Sequence, residues 1–295
     1  MYLRFVLLVW LISGNVFATP NVVVSIKPIH SIVSSITQDI TEPKLLLKTQ
    51  ESAHHFHLKP SQLSSIENAD LVVAIHPNME MGLNKALSNI PQHKKIYIVR
   101  HEEHEEHEEH EEHEEHEEHE EHLNSSQNYH IWLDINNMQE FAKKLTDKLI
   151  TIDLENKHKY LSNLNKLNKK LDTLQKNIQQ KLSFYAGKPV ASFSNAFEYF
   201  INSNNLKLST TVTKFHEERL SVYKVLNAKN IIKNSKTKCL ITTTEVSNKQ
   251  INILSEGLNI NTARIDIIGF GIKQNVDHYF ELMNNIGSKV EKCLQ

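Results

Sequence analysis

The chain has 295 residues, 39% of them apolar and 23% charged, which is enough for two domains of ordinary size with packed cores. Only seven glycines and seven prolines occur, which excludes collagen-like and linker-dominated chains. The formal charge of −2 conceals an asymmetry: 14 of the 35 acidic residues lie between His101 and His122, so the rest carries 33 basic residues against 21 acidic ones. No Lys/Arg cluster with interleaved aromatics appears in that basic body, and nucleic acid is not an expected partner.

Residues 1–18 pair one basic residue, Arg4, with an apolar run from Phe5 to Ile12 and end in Val16-Phe17-Ala18. This is the pattern of a secretory signal, and the run is shorter than the roughly 20 residues that span a bilayer. A soluble, exported protein beginning near Thr19 is expected. Cys239 and Cys293 are the only cysteines, and in an oxidising compartment the pair predicts one disulfide.

Asn21–Ile26, Lys44–Leu47, Asp70–Ile75 and Lys95–Val99 are short apolar runs of the kind that form buried strands. Helix-like segments follow at Ile29–Ile36 and from Pro60, where proline suits a first helical turn. Alternation at this spacing predicts a parallel sheet covered on both faces. Leu154, Leu161, Leu164, Leu167, Leu171, Leu174, Ile178 and Leu182 then recur mostly at steps of three and four, predicting one amphipathic helix of about 30 residues, about 45 Å long. Gly187-Lys188-Pro189 ends it. A second α/β unit follows, with strands at Val190–Phe193, Leu206–Leu208, Cys239–Thr243 and Thr262–Asp266, and helices at 196–201, 220–234, 249–257 and 278–294. The predicted organisation is a signal at 1–18, an α/β lobe over 19–152, a linking helix over 153–186 and a second α/β lobe over 187–295.

His101, His104, His107, His110, His113, His116, His119 and His122 mark seven His-Glu-Glu repeats closed by an eighth histidine. The tract has no apolar surface to bury and is expected to be disordered in the free protein. Imidazole suits zinc, copper and nickel, and the carboxylates attract any divalent cation, so metal collection is the functional reading. Neutral imidazole is the binding form, so its occupancy should fall as pH drops through about 6.5. Further candidate ligands lie in Ser52–Pro60, Tyr129–Asp134 and Ile265–Gly269. Ligands gather at the carboxyl ends of parallel strands, and a cleft between two lobes brings such ends together.

Several of these segments occur in an order that resembles the periplasmic zinc-binding component of ATP-binding-cassette importers, in the zinc/manganese cluster of solute-binding proteins. They are Ser25-Ile-Lys-Pro28, His54 six residues before Pro60, Asn68–Val73, the His-rich insert, His130-Ile-Trp-Leu133, Phe193–Phe200, Glu245, Asp266 and the cysteine pair. The resemblance covers essentially the whole chain. It implies two α/β lobes, a rigid linking helix, one divalent cation between the lobes, and delivery of Zn2+ to a membrane permease by a periplasmic, monomeric, non-enzymatic receptor.

Carried over residue by residue, the resemblance makes His54 and His130 metal ligands and places Asp266 at or near a further position. The pattern's third histidine falls at Ser194, within Phe193-Ser194-Asn195-Ala196-Phe197. An alcohol is a poor zinc ligand, so three explanations stay open. His30, His55, His57, His76 or His216 fills the position; the tract donates a histidine; or the fixed site is weak and the tract does most of the binding. His55, His57, His93, His158 and His278 otherwise read as solvated surface residues, Asp266 alternatively as a structural hydrogen-bond acceptor, and Glu245 as a group that orients a ligand or caps a helix. The alternatives in other functional classes are an extracytoplasmic metal buffer or adhesin, and an exported zinc hydrolase using the open position. Neither a His-Glu-x-x-His helix nor a Gly-x-Ser-x-Gly elbow supports the hydrolase.

Overall fold

The computed structural model describes residues 19–48, 52–54, 56–99, 127–214 and 218–295. The signal segment, the tract at 101–122, His55 and His216 lie outside the described residues. The first lobe runs β1 (Val22–Val24), α1 (Lys27–Ile36), β2 (Lys44–Leu45), α2 (Pro60–Glu67), β3 (Leu71–Ala74), α3 (Met81–Ser88) and β4 (Lys95–Tyr97). Two helices follow, α4 (Ile135–Ile152) and α5 (Lys157–Leu182). The second lobe comprises β5 (Pro189–Ser192), α6 (Glu198–Ser203), β6 (Lys207–Thr211), α7 (Val222–Asn234), β7 (Cys239–Thr243), α8 (Asn248–Ser255), β8 (Asn261–Ile265) and α9 (His278–Leu294).

Both sheets are parallel throughout, ordered β2-β1-β3-β4 and β6-β5-β7-β8. The same order in each lobe follows from the same chemistry. A short run of β-branched or other apolar residues buries both faces of a central strand, and the chain returns through a covering helix. Val22, Val23 and Val24 are wholly buried, as are Leu71 and Val73 beside them. Both sheets therefore present their carboxyl ends, where loops rather than helices begin, as the positions from which a ligand can be held.

The linking helix is shorter than the periodicity predicts. α5 occupies 157–182, with 3-10 turns at 154–156 and 183–185 taking up the remainder. It buries Leu167, Leu171, Leu174, Ile178 and Leu182 along one stripe against α1, α4 and α9. Asn163 on α5 donates to the carbonyls of Ile36 and Gln38, closing the carboxyl end of α1. α4 is not among the sequence expectations, although its signal is present. Asp134 accepts from the Asn136 amide as an N-cap, and Ile135, Met138, Phe141, Leu145 and Leu149 form the buried face. One apolar core runs from the first sheet through α4 and α5 to α9. Among the described residues, no helix is long and apolar enough to cross a membrane.

Cys239 and Cys293 form the expected disulfide, with Cα atoms 5.3 Å apart and a separation of 54 residues. It pins the last turn of α9 to the first residue of β7. Loop-closure entropy for that separation amounts to about 4 kcal/mol. Replacing both cysteines by serine should lower the unfolding free energy by about that amount in denaturant titrations at neutral pH. A change below about 1 kcal/mol would show that the cross-link does not constrain the unfolded chain as this account requires.

A candidate metal site between the lobes

A cavity of about 20 Å³ lies where the two sheets' carboxyl ends meet. It has roughly the room for an ion and one water, and too little for an organic solute. From the first lobe it is lined by Ala53 and His54 after β2, Met79 after β3, and His130 and Trp132 beyond β4. From the second it is lined by Thr243, Thr244 and Glu245 at the end of β7, and by Asp266, Ile267, Ile268 and Phe270 after β8.

The His54 and His130 rings lie 5.8 Å apart, centroid to centroid, tilted at 51°. Two imidazoles sharing one tetrahedral zinc at the usual Zn–N distance have centroids about 5 Å apart, so the pair is within reach of a common ion. The tautomer of His130 follows from its neighbour. Asn128 Nδ2 donates to the Asn195 carbonyl at 2.7 Å, which fixes the amide so that its Oδ1 faces His130. That oxygen accepts from the His130 backbone N–H and lies 3.0 Å from His130 Nδ1. An amide oxygen only accepts, so Nδ1 carries the proton of this pair and the ring is oriented by Asn128. Asn128 is itself held from the second lobe, where Glu198 Oε2 lies 3.4 Å from its amide nitrogen and the Tyr199 hydroxyl donates to its carbonyl.

Asp266 supports the opposite wall. Its Oδ1 accepts from the amides of Ile268 and Gly269 and its Oδ2 from Phe270, so the carboxylate organises its own loop while lining the cavity. The loop's carbonyls are answered from elsewhere in the fold. Trp132 Nε1 donates to Ile267 at 2.9 Å, and Lys27 Nζ donates to Phe270 and Ile272 while sitting 5.9 Å above the Phe270 ring. His278 Nε2 donates to Ile268 at 2.9 Å. The expectation that His278 is a surface residue is thus corrected: it is wholly buried at the start of α9, and burial pushes its imidazole below the usual range. Gly269 makes room for that ring. A Cβ there would stand 2.8 Å from His278 Cε1, and the backbone sits at φ +74°.

The remaining predicted residues divide. Glu245 lines the cavity wall from an exposed position. His57, His93 and His158 are exposed, as expected. His30 and His76 are buried but do not line the cavity. His30 Nε2 lies 2.9 Å from the Pro43 carbonyl and 3.2 Å from Gln274 Nε2, with Ser34 at its other nitrogen; burial lowers its pKa. His76 accepts from the Asn78 amide and stacks on Tyr129 at 4.7 Å. Ser194 is buried and is not among the residues that line the cavity. Among the described residues, no three His, Cys, Asp or Glu side chains gather closely enough to hold an ion by themselves. The residues that sequence reasoning missed are Asn128, Thr243 and Lys27, all polar groups whose importance comes from burial and register.

Residues 22–293 match the family described as zinc-uptake complex component A, periplasmic, or ZnuA. The chain belongs to that family. It is 30% identical to the high-affinity zinc uptake system protein ZnuA of Brucella abortus strain 2308, over 93% of this chain and 91% of that one. Against the protein of the same name from Yersinia pestis the identity is 26%, over 97% and 95% of the two chains. In fold it is similar to the periplasmic zinc-binding protein TroA of Treponema pallidum, with a TM-score of 0.74 at 14% identity over 94% of this chain and 99% of that one. It is also similar to the Zn(II)-bound ZnuA-like domain of Streptococcus pneumoniae AdcA, with a TM-score of 0.69 at 17% identity over 94% and 99%. ZnuA-family proteins are solute-binding proteins, so the hydrolase alternative is set aside.

One buried group of this ZnuA-family chain gives a stability prediction. Glu80, at the start of α3 beside Met79, is wholly buried, and its Oε2 accepts from the Ile75 amide. Burial pushes the carboxyl from 4.5 up to about 7. A folded pKa above the unfolded one means stability that is complete below pH 4.5 and is lost as pH rises through 7, about 3 kcal/mol in all. Glu80→Gln keeps an acceptor for Ile75 and removes the titration. The variant should gain about 3 kcal/mol relative to the parent between pH 4.5 and pH 8 in denaturant unfolding. Parallel pH profiles would contradict the assignment.

Proposed function

We propose that this protein is the exported receptor of a zinc importer, capturing Zn2+ between its lobes and handing it to the permease of an ATP-binding-cassette transporter. The single observation that carries the reading is the convergence of His54 and His130 in a cavity sized for an ion. His54 and His130 would donate imidazole nitrogen, and Asp266 an oxygen whose charge is already shared with three amides. Neutral nitrogen donors favour zinc, copper and nickel over manganese, which prefers oxygen-rich sets. The tract at 101–122 would collect zinc from dilute solution and release it to the cavity, since it ends only eight residues before His130. The leader at 1–18 would be cleaved on export, and the receptor would act as a monomer.

Deleting residues 101–122 should lower the zinc stoichiometry measured by calorimetry but leave at least one tight site. In that background His54→Ala or His130→Ala should abolish the remaining site; retention of full affinity in both variants would refute the cavity assignment. Zinc-limited growth under a chelator should fail when the protein is lost. Normal growth would favour the buffer or adhesin instead.

Asn128 gives a second, quieter test. Removing a hydrogen-bond partner behind a metal-binding histidine typically costs about 10- to 100-fold in affinity. Asn128→Ala should weaken zinc binding within that range while leaving His54 and His130 in place. An unchanged Kd would mean that the His130 ring needs no support from Asn128.

A further inference from the structure

Thr243 and Ser194 lie at the point where the strand order of the second sheet reverses, between β5 and β7. The parallel register pairs Val190 with Cys239, Ala191 with Leu240 and Ser192 with Ile241. It runs on past β5, because the Phe193 amide donates to the Ile241 carbonyl at 2.8 Å and Ser194 is extended at φ −133°, ψ 174°. Continuing the same offset sets Ser194 beside Thr243. Both residues are 1% exposed, and Thr243 lines the cavity with His54, His130 and Asp266.

Their hydroxyls behave differently from those around them. Ser192 Oγ donates to the Ser194 carbonyl, Thr213 Oγ1 to Phe193 and Thr242 Oγ1 to Thr243. Each of these hydroxyls is satisfied locally on the backbone. Ser194 Oγ and Thr243 Oγ1 are buried and, among the described residues, neither makes a hydrogen bond. Buried polar side chains are almost always paired, so an orphaned hydroxyl on the cavity wall at Thr243, with a second orphaned hydroxyl beside it in register at Ser194, points to a polar partner that arrives with the ligand.

We propose that Thr243 and Ser194 together hold one water against the captured ion, and that this water supplies a coordination position the side chains do not fill. The inference rests on the reading of the cavity as the zinc site. A hydroxyl is a weak zinc ligand, but it accepts a hydrogen bond well. A metal-bound water has both protons to give and, being polarised by the cation, is a strong donor. Zinc sites with three protein donors complete their shell with water as a matter of course. Thr243 and Ser194 are therefore positioning residues, acting on the ion through the water they fix.

The test uses the full mature chain with the eight tract histidines replaced by glutamine, so that the first metal equivalent reports on the cavity. Zinc affinity is measured by competition with a chromophoric chelator, and the visible spectrum of the first equivalent of Co2+ is recorded. His54→Ala comes first as the control. If it leaves both readouts unchanged, the cavity is not the metal site, and the underlying functional reading fails together with this inference. With that control behaving as expected, Thr243→Val should weaken zinc binding about tenfold and shift the Co2+ spectrum, Ser194→Ala should do the same, and Thr243→Ser should restore both. Unchanged affinity and spectrum in Thr243→Val and Ser194→Ala would overturn this inference alone. So would a loss in Thr243→Val that Thr243→Ser does not restore, since that pattern belongs to packing. Should Thr243→Val fold poorly, Ser194→Ala decides, because it removes the second hydroxyl without adding bulk.

Discussion

The cavity depends on a stretch of irregular backbone, Asp266 to Ile272, that is buried at Ile267, Ile268 and Gly269 and has to find partners for its polar groups where the lobes meet. Backbone carbonyls left without partners in such a place cost about 1–3 kcal/mol each. Here Trp132 answers Ile267, His278 answers Ile268, and Lys27 answers both Phe270 and Ile272. Two of those three donors belong to the first half of the chain, so these bonds tie the loop to the first lobe at the present separation. Ser31 adds a further tie, donating to Val276 and accepting from the Tyr279 amide, and the Tyr279 hydroxyl donates to the Trp132 carbonyl. Parting the lobes would orphan several of these groups at once while bending a core that is continuous through α5. The physics favours a cleft of fixed width whose adjustments are small, rather than a jaw that swings open.

The electrostatics of the site follow from the same ties. Asp266 accepts from three amides, which answers the oxygens of a carboxylate that lines a confined cavity. The His130 ring is oriented by an amide that is held in turn by Asn195 and Glu198. Asn128 therefore couples the orientation of a first-lobe imidazole to second-lobe groups, and a change in the lobes' separation would be felt at the His130 ring before it was felt at His54.

Much of this was legible in the sequence, and the parts that were not share a cause. Strands such as Val22–Val24 and Leu71–Ala74 announce themselves as short runs of β-branched and apolar residues, and α5 announces itself by its leucine spacing. His54 and His130 are recognisable from residue type and motif order. By contrast, Thr243 means nothing until register sets it beside Ser194, and Lys27 reads as one more basic residue until burial shows its ammonium aimed at carbonyls more than 240 positions away. His278 misled for the same reason. A histidine at the start of an amphipathic helix reads as solvent-facing, and only the Gly269 turn packed upon it reveals otherwise. Long-range pairing of polar groups carries no local signature, whereas apolar periodicity does.

The two lobes share one strand order and yet use it differently. In an open parallel sheet the natural place for a ligand is the crevice where the order reverses. The first lobe fills that crevice itself: between β1 and β3 the Glu80 carboxyl turns back to accept from Ile75, and α1 begins there with Lys27 committed to the second lobe. Its cavity-lining imidazoles sit outward of that point, His54 in the loop after β2 and His130 in the segment beyond β4. In the second lobe the ends of β7 and β8 line the cavity directly with Thr243, Glu245 and Asp266. The cavity therefore receives its imidazoles from the lobe whose crevice is plugged, and its carboxyl and hydroxyl groups from the other.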